Sequence, residues 1–213
     1  MIDTVLFDFD GTIMDTNDVV IASWQHAFIT LEGKPRPISE IMATLGEPIS
    51  DTVKRIFPGR DASEVIRLYR SHQYANYEAM ISLFPGVMDV FDALKARGTN
   101  MSIVTNRLRE TTIRGLAKYN IESYFGSIVC YNDAEKNKPE PEPAWLALKE
   151  LGRKPENALF VGDSQNDILC GKNAGVKTVR VAWALASDDD HGEEAAAPDY
   201  IIEKPADLLT LIG

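Results

Sequence analysis

The stretch "TVLFDFDGT", residues 4–12, decides how this chain is read. It begins as a short apolar run of strand type. The run then delivers two aspartates, Asp8 and Asp10, where the strand should be leaving the core. Burying a carboxylate is costly unless it is paired or bound to a metal. The apolarity is continuous, not alternating, which suits a strand covered on both faces of a parallel sheet. Open α/β sheets bind ligands beyond the carboxyl ends of their strands. A position that is costly for a core is therefore well placed for a site. Strand periodicity would set both carboxylates on the same side, roughly 6–7 Å apart.

Four more runs of this kind follow: "MSIVTN" (101–106), "GSIVCYND" (126–133), "ALFVGD" (158–163) and "TVRVAW" (178–183). Segments of helical period separate them. "VMDVFDALKARG" (87–98) closes on a basic residue and Gly98, a good helix stop. "RETTIRGLAKYNI" (109–121) and "EPAWLALKELGR" (142–153) carry the same period. The alternation predicts an α/β fold with a doubly wound, Rossmann-like parallel sheet. From Thr16 to Leu83 only helical periodicity is visible, and "FPGV" (84–87) marks the return to the core. The expected organisation is a core over 1–15 and 84–213 with an α-helical insert over 16–83.

Composition narrows the function. With 213 residues, 45% of them hydrophobic and 25% charged, the chain can bury a sizeable core. A net charge of −10 argues against a nucleic-acid partner, which would want a basic face. No apolar stretch reaches the ~18 residues of a membrane span, and no signal peptide is visible, so no membrane partner and a cytoplasmic location are expected. Cys130 and Cys170 share no metal-type spacing and are expected to be reduced and to pack as small hydrophobes. The acidic run "SDDDHGEEAAAP" (187–198) lacks ordered ligand spacing and reads as a solvated loop. His26, His72 and His191 read as ordinary surface or core histidines.

Polar residues collect at the strand ends. The first strand delivers Asp8, Asp10, Gly11 and Thr12, and the second Thr105 and Asn106. Lys138 follows the third in "KPEPEP" (138–143), while "GDSQND" (162–167) brings Asp163 and Asp167 after the fourth. Carboxylates, a hydroxyl and a lysine converging on one rim suit phosphoryl transfer, where catalysis is mainly positioning and electrostatic stabilisation. Acidic residues repel a phosphate unless a hard cation bridges them, and Mg²⁺ prefers oxygen ligands. Asp8, Asp163 and Asp167 read as its cradle.

"DFDGT", the strand-ending Thr105, Lys138 before Pro139 and "GDSQND" resemble the four motifs of the haloacid dehalogenase superfamily. They occur in order across the whole chain, with an α-helical cap inserted after the first motif. The resemblance implies that Asp8 is the nucleophile, forming an aspartyl-phosphate, and that Asp10 is the general acid and then the base. It implies that Thr105 and Lys138 hold the phosphoryl oxygens, with Gly11, Thr12 and Asn106 in the phosphate pocket. Mg²⁺ would be bound by Asp8, the Asp10 carbonyl, Asp163 and Asp167, the last directly or through water. Asn106 and Arg109 line the site or simply belong to the start of a helix; Ser164 and Asn166 meet the metal's waters or cap a helix. Lys136 reads as a surface charge.

"TNDVVIASW" (16–24), "TNRLRET" (105–111), "KPEPEPAWLALK" (138–149) and "KTVRVAW" (177–183) are most similar to bacterial phosphoglycolate phosphatases and to a pyrophosphatase of the same subfamily. The implied function is Mg²⁺-dependent hydrolysis of a small phosphorylated metabolite, phosphoglycolate or pyrophosphate. Glu47 in "LGEPI" (45–49) would repel an anionic leaving group if it pointed inward. A dehalogenase would not need Asp10. A phosphonatase would need a Schiff-base lysine from the insert, where only Lys34 and Lys54 occur. A hexose-phosphate mutase stays open, as does a non-enzymatic aspartyl-phosphate regulator, although such regulators lack a helical insert. Monomer and dimer are both compatible with the sequence.

Overall fold

Strand β1 (Thr4–Phe7) is buried along its whole length and lies in the middle of a six-stranded sheet. In a computed structural model describing residues 1–44, 49–184 and 196–212, the other strands of this sheet are β4 (Asn100–Val104), β5 (Ser127–Val129), β6 (Ala158–Gly162), β7 (Lys177–Val181) and β8 (Tyr200–Ile202). Their order is β5-β4-β1-β6-β7-β8, and every pairing is parallel. Every residue of β6 is buried too, as strands covered on both faces require. Leu6, Val104, Val129 and Phe160 meet Ala144, Ala147, Leu148 and Cys170 in one apolar cluster.

Two compact units divide the chain, Met1–Asp15 with Ser82–Gly213, and Thr16–Ile81. The first holds the sheet and helices α5 (Val87–Ala96), α6 (Arg109–Lys118), α7 (Glu142–Leu151) and α8 (Gln165–Asn173). It also holds β2 (Met14–Asp15) and β3 (Ser82–Leu83), paired antiparallel at the two points where the chain leaves and re-enters. The second is built from α1 (Asn17–Glu32), α2 (Ile38–Met42), α3 (Ile49–Ile56) and α4 (Ala62–Met80). Its core joins Trp24, Phe28, Ile41, Val53, Phe57 and Val65. Arg36 lies over the Phe28 ring at 4.6 Å while hydrogen-bonding Glu32. His26 and His72 stack at 4.7 Å in this unit, and the His72 Nδ1 is 3.1 Å from Ser23 Oγ.

The structure departs from the sequence reading at several strands. β1 stops at Phe7, so Asp8 and Asp10 lie in the turn beyond it and strand periodicity does not relate them. The run ending at Asp133 is strand only to Val129, then a 3₁₀ turn over Tyr131–Asp133. β2, β3 and β8 are additional; two or three residues are too few to show a period. Cys130 and Cys170 are free and buried, and burial pushes the Cys170 thiol up to about 12. No described helix is long and apolar enough to cross a membrane. Glu47, His191 and residues 187–195 of the acidic run lie outside the described residues.

Candidate active site

Register brings the polar strand ends level. Phe7 stands beside Ile103 on β4 and Val161 on β6, so the next residues of all three strands emerge at one edge. Asp8 N donates to Val161 O at 2.9 Å and Thr105 N to Val129 O at 2.9 Å, carrying the ladder one step past the strands. At Gly11 the chain takes a left-handed φ of +74°, and a Cβ there would fall 2.2 Å from Asp163 Oδ2. Only glycine meets both the turn and the approach.

Lys138 is the centre of the arrangement. Its Nζ donates to Asp8 Oδ1 and to Asp167 Oδ1, each at 2.6 Å, with all three side chains buried. The other Asp167 oxygen accepts from Ser164 N at 3.0 Å and Ser164 Oγ at 2.6 Å. Ser164 and Asp167 thus form the capping box of α8, which fixes one oxygen of Asp167 and leaves the other to Lys138. One carboxylate oxygen from each of Asp8, Asp163 and Asp167 lies within 4.8 Å of the other two.

Charge is unevenly balanced here. Burial, reinforced by Asp167, pushes Asp8 up to about 7 although Lys138 pulls it down. Burial with Asp167 and Asp8 lifts Asp163 well above the carboxylate range. Burial also opposes the Lys138 charge, yet Asp167 and Asp8 outweigh it and hold the ammonium above its usual range. Three close carboxylates against one ammonium leave an excess of negative charge, which a hard cation would relieve.

The other predicted residues take several positions. Thr105 is buried, and its Oγ1 accepts from Arg107 N at 3.2 Å. The Asn106 amide is spent on the Lys138 backbone: Nδ2 donates to Lys138 O at 2.9 Å and Oδ1 accepts from Lys138 N at 3.1 Å. Thr12 lines an apolar pocket with Phe7, Ile13, Phe91 and Trp183, and its buried hydroxyl has no hydrogen-bond partner among the described residues. Arg109 is tied to Asp133, and Lys136 is exposed with its backbone N–H on Glu142.

Three residues escaped the sequence reading. Arg107 Nη1 donates to both Asp10 oxygens, at 3.0 and 3.2 Å, from a side chain only 9% exposed. Its signal was its place two residues beyond Thr105, on the rim. Gly162 leaves no room for a side chain against Asp167. Glu142 accepts from Glu135 N and Lys136 N, shaping the segment that delivers Lys138.

Known proteins share this architecture along its length. The pyrophosphatase PpaX of Halalkalibacterium halodurans is 37% identical over 212 residues, covering 100% of this chain and 97% of that protein. PpaX of Anoxybacillus flavithermus is 38% identical over 215 residues, again covering 100% and 97%. A haloacid dehalogenase-like hydrolase from Streptococcus pneumoniae superposes with a TM-score of 0.85 at 25% identity, over 99% of this chain and 98% of its own. The profile of the family described as haloacid dehalogenase-like hydrolase matches residues 5–181. With that span and those relatives, the chain belongs to the haloacid dehalogenase-like hydrolases.

Proposed function

We propose that this hydrolase is a Mg²⁺-dependent phosphatase of small phosphorylated compounds, acting through an aspartyl-phosphate on Asp8, with pyrophosphate or phosphoglycolate as substrate. The observation that carries the reading is Asp8 itself. It is a buried carboxylate at a strand end, held by Lys138 and grouped with Asp163 and Asp167. Pyrophosphate is favoured by relatives named pyrophosphatase, phosphoglycolate by the motif resemblance.

The donor set fits Mg²⁺, since it is made of hard carboxylate oxygens within 4.8 Å of one another. Asp8, Asp163 and Asp167, with the Asp10 carbonyl, would hold the ion. When bound it supplies positive charge to the phosphoryl oxygens.

The chain's residues divide the work. An Asp8 oxygen attacks phosphorus as the bond to the leaving oxygen breaks, and Asp10 gives that oxygen a proton. Asp10 then takes a proton from water, whose oxygen attacks phosphorus and releases phosphate and the Asp8 carboxylate. Lys138 neutralises Asp8 and orients it, and Thr105 offers a hydroxyl to a phosphoryl oxygen. In this reading the helical unit, Thr16–Ile81, is the cap.

Phosphate release from pyrophosphate, phosphoglycolate, sugar phosphates and p-nitrophenyl phosphate, with and without Mg²⁺, tests the reading. Release that depends on Mg²⁺ and disappears in Asp8→Asn supports it. No release from any compound with the metal present overturns it, and a long-lived phosphoryl-enzyme would favour the regulator.

A further inference from the structure

We infer that Arg107 receives an anionic group on the leaving part of the substrate, so that the site selects small phosphoryl compounds whose leaving group carries its own negative charge. The inference rests on the phosphatase reading and names the substrate class of the same site. Its starting point is the contact between one Arg107 nitrogen and both oxygens of Asp10. A guanidinium matches a carboxylate or phosphate best as a two-nitrogen fork. Here Nη1 alone reaches the two Asp10 oxygens, so the contact with Asp10 is not such a fork.

The backbone of Arg107 is pinned on both sides. Its N–H donates to Thr105 Oγ1 at 3.2 Å, and its carbonyl accepts from Tyr131 N at 2.9 Å. The backbone is thereby fixed beside Thr105, and the Nη1 contacts with Asp10 bring the charge to the site itself. Asp10 is the group that would reach the leaving oxygen, at the ~2.7 Å of an O–H···O bond. A carboxylate or second phosphoryl group one or two bonds beyond that oxygen then comes within reach of the guanidinium. Arg107 takes one acceptor site on each Asp10 oxygen and so fixes how that carboxyl is turned. An anion that draws Arg107 towards itself loosens that hold and lets Asp10 turn to the leaving oxygen. A neutral leaving group leaves the Arg107–Asp10 pair in place. Charge count agrees, because Arg107 is the cation that balances Asp10 while Lys138 is committed to Asp8 and Asp167.

The test compares phosphoglycolate with 2-hydroxyethyl phosphate, which replaces its carboxylate by a neutral alcohol, and adds pyrophosphate to distinguish the two anionic sources. The native protein should prefer phosphoglycolate in kcat/KM by about 10- to 100-fold, the scale of a charge-assisted hydrogen-bonded pair. Arg107→Gln and Arg107→Met should each collapse that ratio towards unity, and Arg107→Lys should retain part of it. A second arm measures binding of the same compounds by calorimetry to Asp8→Asn, alone and combined with Arg107→Gln. Discrimination that disappears with Arg107 in this arm supports the inference even if no compound is hydrolysed, an outcome that would sink only the phosphatase reading. An unchanged ratio in the folded Gln or Met variant, or a native protein with no preference in either arm, overturns it.

Discussion

Gly162 and Asp167 are packed so closely that a methyl group on the glycine would stand 2.3 Å from the Asp167 Cβ. Gly162 ends β6 and Asp167 lies in the first turn of α8, so the contact sets how the helix starts against the sheet. Asp167 in turn carries one of the two carboxylate bonds to Lys138. Gly162→Ala must therefore move the backbone that aims Asp167. It should cost about 1–3 kcal/mol of stability, as overpacking does, and reduce phosphate release disproportionately. Gly126→Ala is the control, because its new Cβ would meet only the flexible end of Leu151. Urea unfolding of both variants checks this, and a Gly162→Ala protein no weaker than Gly126→Ala would refute it.

Asn106 grips both the N–H and the carbonyl of Lys138, so its side chain works as a bracket for the lysine. Asn106→Ala should lower kcat by about 10- to 100-fold, the scale of a small misplacement of a catalytic group, while the protein stays folded. Asn106→Asp should do no better, since a carboxylate would then face the Lys138 carbonyl. Steady-state kinetics with phosphate as inhibitor gives the answer. If kcat is kept and phosphate inhibition alone weakens, Asn106 belongs to the phosphate pocket that its sequence position suggested.

The alternation of buried runs with helical periods made the sheet and its rim legible, because each long element repeats its pattern several times. β8 was not legible: Tyr200–Ile202 is too short for a period and has Ile201 exposed at the edge of the sheet. Asp8 and Asp163 could be named because charge directly after an apolar strand is expensive and therefore conspicuous, whereas Lys138 and Asp167 could be named from the motifs in which they stand. Arg107 and Gly162 could not. An arginine after a strand is ordinary, and its meaning depends on Asp10, which is 97 residues away in the chain. A glycine's role depends on what its missing side chain would have struck.

Thr12 poses a different question, because its hydroxyl is buried without a partner among the described residues and its neighbours are Phe7, Ile13, Val87, Phe91 and Trp183. Its backbone carbonyl accepts from Trp183 Nε1 at 3.1 Å, a bond that no side-chain change removes. Thr12→Val exchanges the hydroxyl for a methyl of similar size in an apolar pocket. Relief of an unsatisfied polar group should raise the unfolding free energy by about 1 kcal/mol. Thermal unfolding checks it, and a lower midpoint would mean that the hydroxyl is satisfied by a bound water or ligand.

Asp199 explains how the short strand β8 is held. Its Oδ2 accepts from Thr178 N at 2.8 Å and Thr178 Oγ1 at 2.9 Å, and its own N–H donates back to Thr178 Oγ1 at 3.2 Å. The clasp joins Thr178 in β7 to the residue that precedes β8, just before their ladder begins at Val179 and Tyr200. The backbone N–H of Thr178, then its hydroxyl, hold the Asp199 carboxyl below its usual range despite some burial. A carboxyl depressed in the folded state favours folding above its unfolded pKa of ~3.9 and loses that contribution as pH falls through the folded value. Asp199→Ala should therefore be less stable than the native protein at pH 7. Because Asp199 is exposed, solvent screening keeps the difference to no more than about 1 kcal/mol. The gap should stay constant down to about pH 5 and narrow below pH 4, where the unfolded chain's carboxyl takes up a proton before the native one does. Urea midpoints at pH 7, 5, 4 and 3.5 trace this course. A gap that does not narrow in acid would assign the loss to packing at Thr178 instead of to the charge on Asp199.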